Sequence, residues 1–154
     1  MTNIDRKGIG IIDVEAGNNV TVIEPSNLYG CKIGDNSFVG PFVEIQKDVV
    51  IGKNCRIQSH SFVCELVTIG NNCFVSHGVM FINDDFSTGM PERKIKKRWR
   101  ATEIKDNVSI GSNATILPVS ICSNVVIGAG SVVTKDIIKP GIYAGNPARF
   151  LREL

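Results

Sequence analysis

The sequence is poor in the features that mark membrane, secreted and nucleic-acid-binding proteins. No stretch reaches the roughly 18 apolar residues that a membrane span needs, and Met1–Gly17 lacks the apolar run of a signal peptide. The net charge of +2 is too small to indicate nucleic acid binding. We therefore expect a cytoplasmic protein with no membrane insertion and no nucleic-acid partner.

Paired cysteines of the kind that build a disulfide or zinc framework are also lacking. The count is odd and no CxxC pair exists; the five are Cys31, Cys55, Cys64, Cys73 and Cys122. Cysteines that occupy small interior positions act as compact, reduced hydrophobes. We expect this packing role even for Cys55 and Cys73, which are 18 residues apart.

What the chain does contain is an apolar residue at every sixth position over a long stretch. A period of six fits neither a helix nor an ordinary sheet, and it is typical of a hexapeptide solenoid. Three units close a triangular coil of about 18 residues, and each coil buries its apolar side only against the next. The series runs through Ile33, Val39, Ile45, Ile51, Ile57, Val63, Ile69, Val75 and Phe81.

The repeat predicts one domain, 1–154, with three parts. Residues 1–26 are the least regular and predict an irregular first coil and cap. Repeats cover 27–138 with an interruption at 84–103, and 139–154 form a tail that predicts a short helix. From Phe81 to Ile104 is 23 positions, where one repeat needs six, so the interruption extrudes about 17 residues.

Asparagine recurs three residues after the inward aliphatic position. It tolerates the left-handed backbone conformation that a sharp corner requires. One step of the repeat is short, because Ile121 follows Ile116 after five residues, and we expect a tighter turn there. The asparagines are Asn36, Asn54, Asn72, Asn107, Asn113 and Asn124.

The interruption is the first functional clue, since long irregular segments in compact domains usually serve a function. A solvated surface loop is the simpler interpretation. We favour a loop that reaches over a neighbouring subunit and lines a ligand cleft. Its lysine and arginine side chains could bind phosphate groups, and its tryptophan ring could stack on a ligand. These residues are Lys94, Lys96, Lys97, Arg98, Trp99 and Arg100.

Polar residues at two corners are the second clue. His60 and His77 fall at the same corner of adjacent coils, and Glu65 and Asn83 share the next corner, where the loop departs. Histidine is the side chain best suited to proton transfer near neutral pH. The alternative is that these residues only cap corners by hydrogen bonding.

Two segments resemble a known family. The tail GAGSVVTKDIIKPGIYAGNPARFLREL is similar to the closing segment of acetyl-CoA-dependent hexapeptide acyltransferases. The run from NLYGCKIGDN to SHGVMFIND more closely resembles the nucleotide-linked amino-sugar N-acetyltransferases of bacterial surface-glycan synthesis, particularly those acting on 3-amino sugars. The resemblance implies a left-handed parallel β-helix, a homotrimer with parallel axes, and acetyl-CoA in the groove between neighbouring chains.

The resemblance also implies roles for individual residues. His77 and Asn83 match the segment that flanks the acetyl-transfer centre, and Glu44 and His60 match positions near the sugar nucleotide. The corner and loop patterns above add four substrate-binding candidates, namely Glu65, Arg98, Trp99 and Arg100. The chain departs from this family at Ala101-Thr102-Glu103, where relatives often carry a Pro-Thr-aliphatic run. Coenzyme contacts fall to Gly111, Ala114, Ala129, Gly130, Lys135, Asn146, Pro147 and Arg149.

The implied reaction is attack of a neutral sugar amine on the thioester carbonyl. We expect His77 to accept or relay the proton and Asn83 to orient the amine. A hydrogen-bond donor would stabilise the oxyanion, often by about 3–4 kcal/mol. Alternatively no protein base acts, and the leaving CoA thiolate takes the proton.

Three other functions compete with this reading. A zinc carbonic anhydrase shares the solenoid but needs three histidines, and the chain has two. A non-catalytic binding module explains the repeat but neither the loop nor the tail. An O-acetyltransferase acting on a sugar or serine hydroxyl is the main alternative among enzymes.

Overall fold

The computed structural model describes residues 10–91 and 99–154. Within those residues every regular element is a strand, most of them two or three residues long, and none is a helix. The strands are β1 (Ile11–Ile12), β2 (Glu15–Ala16), β3 (Thr21–Val22), β4 (Asn27–Tyr29), β5 (Lys32–Ile33), β6 (Phe38–Val39), β7 (Glu44–Ile45), β8 (Val50–Ile51), β9 (Arg56–Ile57), β10 (Phe62–Val63), β11 (Val67–Ile69), β12 (Phe74–Val75), β13 (Met80–Phe81), β14 (Thr102–Ile104), β15 (Val108–Ile110), β16 (Thr115–Ile116), β17 (Ser120–Ile121), β18 (Val125–Ile127), β19 (Val132–Val133), β20 (Gly141–Ala144) and β21 (Arg149–Arg152).

The strands form three sheets around a triangular coil, so the parallel β-helix predicted from the repeat is confirmed. The first sheet has the order β1-β4-β7-β10-β13-β16-β19, the second β17-β14-β11-β8-β5-β2, and the third β21-β20-β18-β15-β12-β9-β6-β3. From β1 to β19, each strand pairs in parallel with the strand three positions along the chain. The seven strands of the first sheet correspond to about seven turns.

The core lies on the coil axis and is built from the six-residue series. Each short strand directs one side chain inward and one outward, which gives the period of two within each unit. All five cysteines are free, and burial raises the pKa of the Cys31 thiol to about 11. The buried series comprises Ile33, Val39, Ile45, Ile51, Ile57, Val63, Ile69, Val75 and Phe81, then Ile104, Ile110, Ile116, Ile121, Ile127 and Val133.

An asparagine ladder runs along the corner between the second and third sheets. Asn54 Nδ2 donates to Asn72 Oδ1 at 3.2 Å, and Asn72 Nδ2 donates to Asn107 Oδ1 at 3.3 Å. Each of these residues has a positive φ, 55° at Asn72. Asparagine fits this corner for two reasons: it tolerates the left-handed backbone conformation, and its side-chain amide hydrogen-bonds to the next coil.

Replacing Asn72 with alanine is expected to lower the free energy of unfolding by about 1–2 kcal/mol, because alanine disfavours positive φ and removes both amide hydrogen bonds. Asn72→Gly is the matched control, since glycine accepts the backbone conformation and loses only the bonds. Urea unfolding of both variants measures the difference. Equal losses for alanine and glycine would contradict the backbone part of this account.

The register across the interruption confirms its length. Asn54 and Asn72 are 18 residues apart in adjacent coils, whereas Asn72 and Asn107 are 35 apart and are still neighbours. The difference is the extruded segment of about 17 residues. The short step after Ile116 gives a coil of 17 residues, seen between Asn107 and Asn124, with Pro118 buried in that turn.

Both ends of the chain differ from expectation. The predicted C-terminal helix is wrong: β20 adds to the third sheet beside β18, and β21 folds back antiparallel to it. The unpaired edge of β18 offers backbone hydrogen bonds that a short isolated helix lacks, and Tyr143 packs edge-on against Phe150 at 5.4 Å. At the other end, Ile11 to Val22 already form three paired strands, so the regular coils begin before residue 27.

None of the described residues belongs to a helix that is long and apolar enough to cross a membrane.

Candidate functional site

Two corners of the solenoid carry the polar side chains. The histidine corner joins the third sheet to the first and consists of the stacked turns 40–43, 58–61, 76–79, 111–114 and 128–131. The turn 145–148, which connects β20 to β21 within the third sheet, lies below them and closes this corner. The loop corner joins the first sheet to the second and includes turns 46–49, 64–66 and 134–136 and the described parts of the extruded loop. Each turn hydrogen-bonds to the next, as when Asn113 N donates to His77 O at 2.9 Å.

His77 lies exposed on the histidine corner. Its Nδ1 is 3.4 Å from Ser76 Oγ, and that hydroxyl is 2.7 Å from Ser112 Oγ on the next coil. Its Nε2 makes no hydrogen bond within the described part of the chain. The serine pair can orient the ring through Nδ1 while Nε2 remains open to an external partner.

His60 lies one coil above His77 but is offset by one position. The register pairs Phe62 with Met80, so His60 aligns with Gly78. The His60 ring stacks on Phe42 with centroids 4.9 Å apart and planes 12° apart. The two histidines therefore share a corner, as predicted, but only His77 contacts the serine pair.

Most of the predicted coenzyme positions stack below His77 on the same corner. Gly130 has φ +69° and open space where a Cβ would stand, whereas a Cβ on Gly111 would lie 2.5 Å from Ala129 N. Gly111 is thus required by the packing of adjacent coils. Ala129 is exposed, but Ala114 is fully buried, so its side chain does not reach the surface.

The closing turn completes this row of small residues. Ala148 N donates to Val132 O at 2.8 Å, which holds Asn146 and Pro147 exposed at the lower end of the histidine corner. Arg149 is exposed directly after the turn. Lys135 follows β19 and lies at the loop corner instead. Within one chain, Lys135 and Arg149 therefore lie at different corners.

A chain of hydrogen bonds connects the predicted residues of the first sheet and the loop corner. Gln46 Nε2 donates to Glu44 Oε1 at 3.0 Å, and Glu65 N donates to Gln46 Oε1 at 3.3 Å. Asn83 Nδ2 then donates to Glu65 O at 3.2 Å. Glu65 and Asn83 are neighbours, as the repeat predicts.

The two residues assigned to catalysis are not brought together within one chain. His77 precedes β13 at the histidine corner, and Asn83 follows β13 at the loop corner. Five residues, including the whole of β13, lie between them and span one side of the triangular coil, which corresponds to roughly 15–20 Å. One chain therefore cannot apply both side chains to a single reacting amine.

The described ends of the extruded loop form a cavity of about 420 Å³ against the first sheet. Arg100 closes the loop base, since its N donates to Asn83 O at 2.9 Å and its Nη1 lies 3.5 Å from Asp85 Oδ2. Arg98 and Lys94, Lys96 and Lys97 lie outside the described residues. The cavity is lined by Gln46, Phe62, Cys64, Phe81, Ile82, Asn83, Asp84, Phe86, Pro91 and Trp99.

Sequence reasoning found Trp99 and Asn83 in this cavity but missed Phe62, Phe86 and Asp84. The available signal was an aromatic residue at the outward position of β10, where a solvent-facing strand would carry a polar side chain. Burial raises the pKa of the Cys64 thiol to about 12, which disfavours the reactive thiolate form. Within residues 10–91 and 99–154, no three His, Cys, Asp or Glu side chains are grouped to hold a metal.

Family models match the chain on both sides of the loop. The model described as bacterial transferase hexapeptide (six repeats) matches residues 30–65, and that described as hexapeptide repeat of succinyl-transferase matches residues 102–135. These segments are the coils above and below the interruption.

Solved structures share the fold. A variant of AntD, an N-acyltransferase from Bacillus cereus in complex with dTDP and coenzyme A, matches with a TM-score of 0.79 at 22% identity, over 90% of this chain and 83% of that chain. A hexapeptide-repeat-containing acetyltransferase from Vibrio cholerae, complexed with acetyl coenzyme A, matches with a TM-score of 0.68 at 26% identity, over 81% of this chain and 71% of that chain.

Curated relatives are longer proteins. The bifunctional protein GlmU of Thermodesulfovibrio yellowstonii is 34% identical over 137 residues, which are 78% of this chain and 27% of that protein. GlmU of Thermotoga maritima is 29% identical over 151 residues, 93% of this chain and 34% of that protein. The chain thus spans about a third or less of the length of these relatives. The repeats, the coil and these matches together identify the chain as a hexapeptide-repeat β-solenoid, whose repeat segments on both sides of the loop match models of hexapeptide transferases.

Proposed function

We propose that the protein is an acyltransferase that moves an acetyl group from acetyl-CoA to the amine of a dTDP- or UDP-linked amino sugar. A 3-amino sugar of surface-glycan or O-antigen synthesis is the favoured acceptor. The observation that carries the proposal is the histidine corner, where an exposed His77 stands above a row of small residues that ends in the turn 145–148. The bound coenzymes of the AntD and Vibrio cholerae structures support the choice of donor. The five free cysteines fit a reducing cytoplasm.

The row of small residues suits the narrow arm of a coenzyme. Ala129 and Gly130 leave the corner below His77 free of bulky side chains, so a pantetheine arm can lie against the backbone. Arg149, exposed after the closing turn, would supply a cation for the coenzyme phosphates. The thioester would then lie beside His77.

The separation of His77 from Asn83 supports a homotrimer. If three chains pack with parallel axes, the histidine corner of one chain faces the loop corner of its neighbour, and each seam contains both residues. Lys135 and Arg149, which lie at different corners of one chain, would meet in the same seam. The trimer thus assembles a site that one chain holds only in halves.

The reaction then follows from the side chains. The acceptor amine attacks the thioester carbonyl, a C–N bond forms, and the C–S bond breaks as CoA leaves as a thiolate. The amine proton passes to His77 Nε2, while Ser76 holds Nδ1 at 3.4 Å. His77 then returns the proton to the CoA sulfur, so the enzyme ends unchanged.

A thiol-release assay tests the proposal with acetyl-CoA and a panel of dTDP- and UDP-linked amino sugars. We expect CoA release with amino sugars and none with their hydroxyl counterparts. Activity on hydroxyl acceptors alone would replace the proposal by O-acetylation. No release and no acetyl-CoA binding in calorimetry would leave a non-catalytic binding module.

A further inference from the structure

The cavity under the extruded loop is larger than an acetyl group needs. Its volume of about 420 Å³ lies within the range of small-molecule sites, whereas an acetyl group adds only one methyl group to the thioester carbonyl. Phe62 of β10 lines the cavity from the first sheet, and Phe86, Pro91 and Trp99 line it from the loop. A larger occupant is therefore required to fill the space.

Apolar side chains dominate the described lining of this cavity. Seven of the ten lining residues are apolar, and four of these carry an aromatic ring. Apolar surface of this kind is stabilised when an alkyl group displaces water from it. The seven are Phe62, Cys64, Phe81, Ile82, Phe86, Pro91 and Trp99.

Two of the three polar lining side chains already hydrogen-bond within the chain. Gln46 uses both ends of its amide, since Nε2 donates to Glu44 Oε1 at 3.0 Å and Oε1 accepts from Glu65 N at 3.3 Å. Asp84 Oδ1 accepts from Phe86 N at 2.9 Å. A sugar ring placed here would leave several of its hydroxyl groups without a partner, whereas an alkyl chain needs none. The lining thus favours an alkyl chain.

Asn83 connects the cavity to the reacting atoms. Its side chain lines the cavity and is the group assigned above to orient the acceptor amine. In the proposed trimer, the loop corner of one chain faces the histidine corner of the next, where the thioester lies. The carbonyl carbon that the amine attacks then lies beside Asn83, and the chain beyond that carbon can enter the cavity.

From this lining and this position we infer that the cavity binds the alkyl part of the donor's acyl group, and that butyryl-CoA and isovaleryl-CoA are better donors than acetyl-CoA. The inference rests on the proposed function, because it names the donor of the same reaction. The bonds exchanged are unchanged: the amine nitrogen bonds to the acyl carbon, the C–S bond breaks, and the amine proton reaches the CoA sulfur through His77. The acyl chain crosses the seam, since the coenzyme lies on one chain and the cavity belongs to its neighbour.

Calorimetric titration of the protein with CoA, acetyl-CoA, butyryl-CoA and isovaleryl-CoA tests the inference without an acceptor. Each methylene group buried against apolar side chains favours binding by about fourfold, so butyryl-CoA should bind roughly tenfold more tightly than acetyl-CoA. Free CoA gives the affinity of the part that all donors share. Equal affinities for butyryl-CoA and acetyl-CoA would overturn the inference.

Phe86→Ala tests whether the acyl group lies in this cavity. The Phe86 ring lines the cavity and is 53% exposed, so its loss does not open the core, and the preference for butyryl-CoA over acetyl-CoA should fall about threefold or more. Phe86→Leu should keep most of the preference. Phe74→Ala, which removes an exposed ring from the third sheet, is the matched control and should leave the preference unchanged. Misfolding cannot imitate a change in this ratio, and an unchanged ratio in Phe86→Ala would overturn the inference.

Thiol release with the panel of dTDP- and UDP-linked amino sugars separates the inference from the proposed function. Butyryl-CoA should give a higher kcat/KM than acetyl-CoA. A higher value for acetyl-CoA would overturn the inference while the proposed function stands. A raised KM for the amino sugar in Phe86→Ala, with the donor ratio unchanged, would overturn it by assigning the cavity to the sugar. Tighter binding of butyryl-CoA without thiol release to any acceptor would overturn the proposed function instead.

Discussion

His77→Ala is expected to lower kcat at least tenfold, with little change in the KM for acetyl-CoA. A general base typically contributes ~10²–10⁴-fold, and His77 is the exposed histidine whose ring contacts the Ser76–Ser112 hydroxyl pair. The comparison of kcat with KM separates proton transfer from binding, because a residue that only binds substrate raises KM and leaves kcat. Steady-state thiol release over a range of both substrates provides the two constants.

Ser112→Ala is the companion variant for this prediction. It removes the hydroxyl 2.7 Å from Ser76 Oγ but leaves the imidazole in place, so a smaller loss of kcat than that of His77→Ala is expected. Normal kcat with a raised KM in His77→Ala would move the histidine from catalysis to substrate binding. In that case the CoA thiolate would be the group that takes the proton.

Mixed trimers are expected to regain about a third of wild-type activity when His77→Ala and Asn83→Ala chains are combined. Every mixed trimer, whichever chain is in the majority, contains one seam out of three with an intact His77 and an intact Asn83. Each variant alone has no such seam. Two different affinity tags on the co-expressed chains allow mixed trimers to be isolated, and thiol release per trimer measures the recovery.

The same experiment has internal controls. Light scattering should give about 50 kDa for every preparation, three times the 16.7 kDa chain. A His77→Ala chain combined with a tagged copy of itself should show no recovery. Mixed trimers no more active than their parents would show that the two residues do not act together across a seam, and a monomeric mass would remove the shared site altogether.

The prediction of the fold from sequence worked because the solenoid is almost one-dimensional. Each coil contacts only its neighbours, so an interior apolar residue at one level is followed by another at the same place in the next coil. Ile45, Val63 and Phe81 form one such column of the core. The extruded length followed from the same period. The prediction of a C-terminal helix was wrong because the conformation of a short tail depends on the surface against which it packs, here the open edge of β18.

The candidate site was only partly predictable. His60 and His77 could be assigned to one corner by counting, but counting did not reveal that Phe42 stacks on His60 or that Ser112 joins Ser76. These contacts depend on the offset of one residue between coils and on side-chain orientation. Asp84 and Phe86 were missed because the loop has no period from which to place them.

By itself the sequence determined the six-residue period, and with it the parallel coil, the buried column and the corners where asparagine is required, since these follow from contacts between adjacent turns. The sequence also assigned His77 and Asn83 to successive corners, but only the tertiary structure decided that β13 keeps them apart, because the repeat gives no distance between corners. The tertiary structure also decided that Phe62, Phe86 and Trp99 line one cavity, since neighbours in the fold need not be neighbours in the chain.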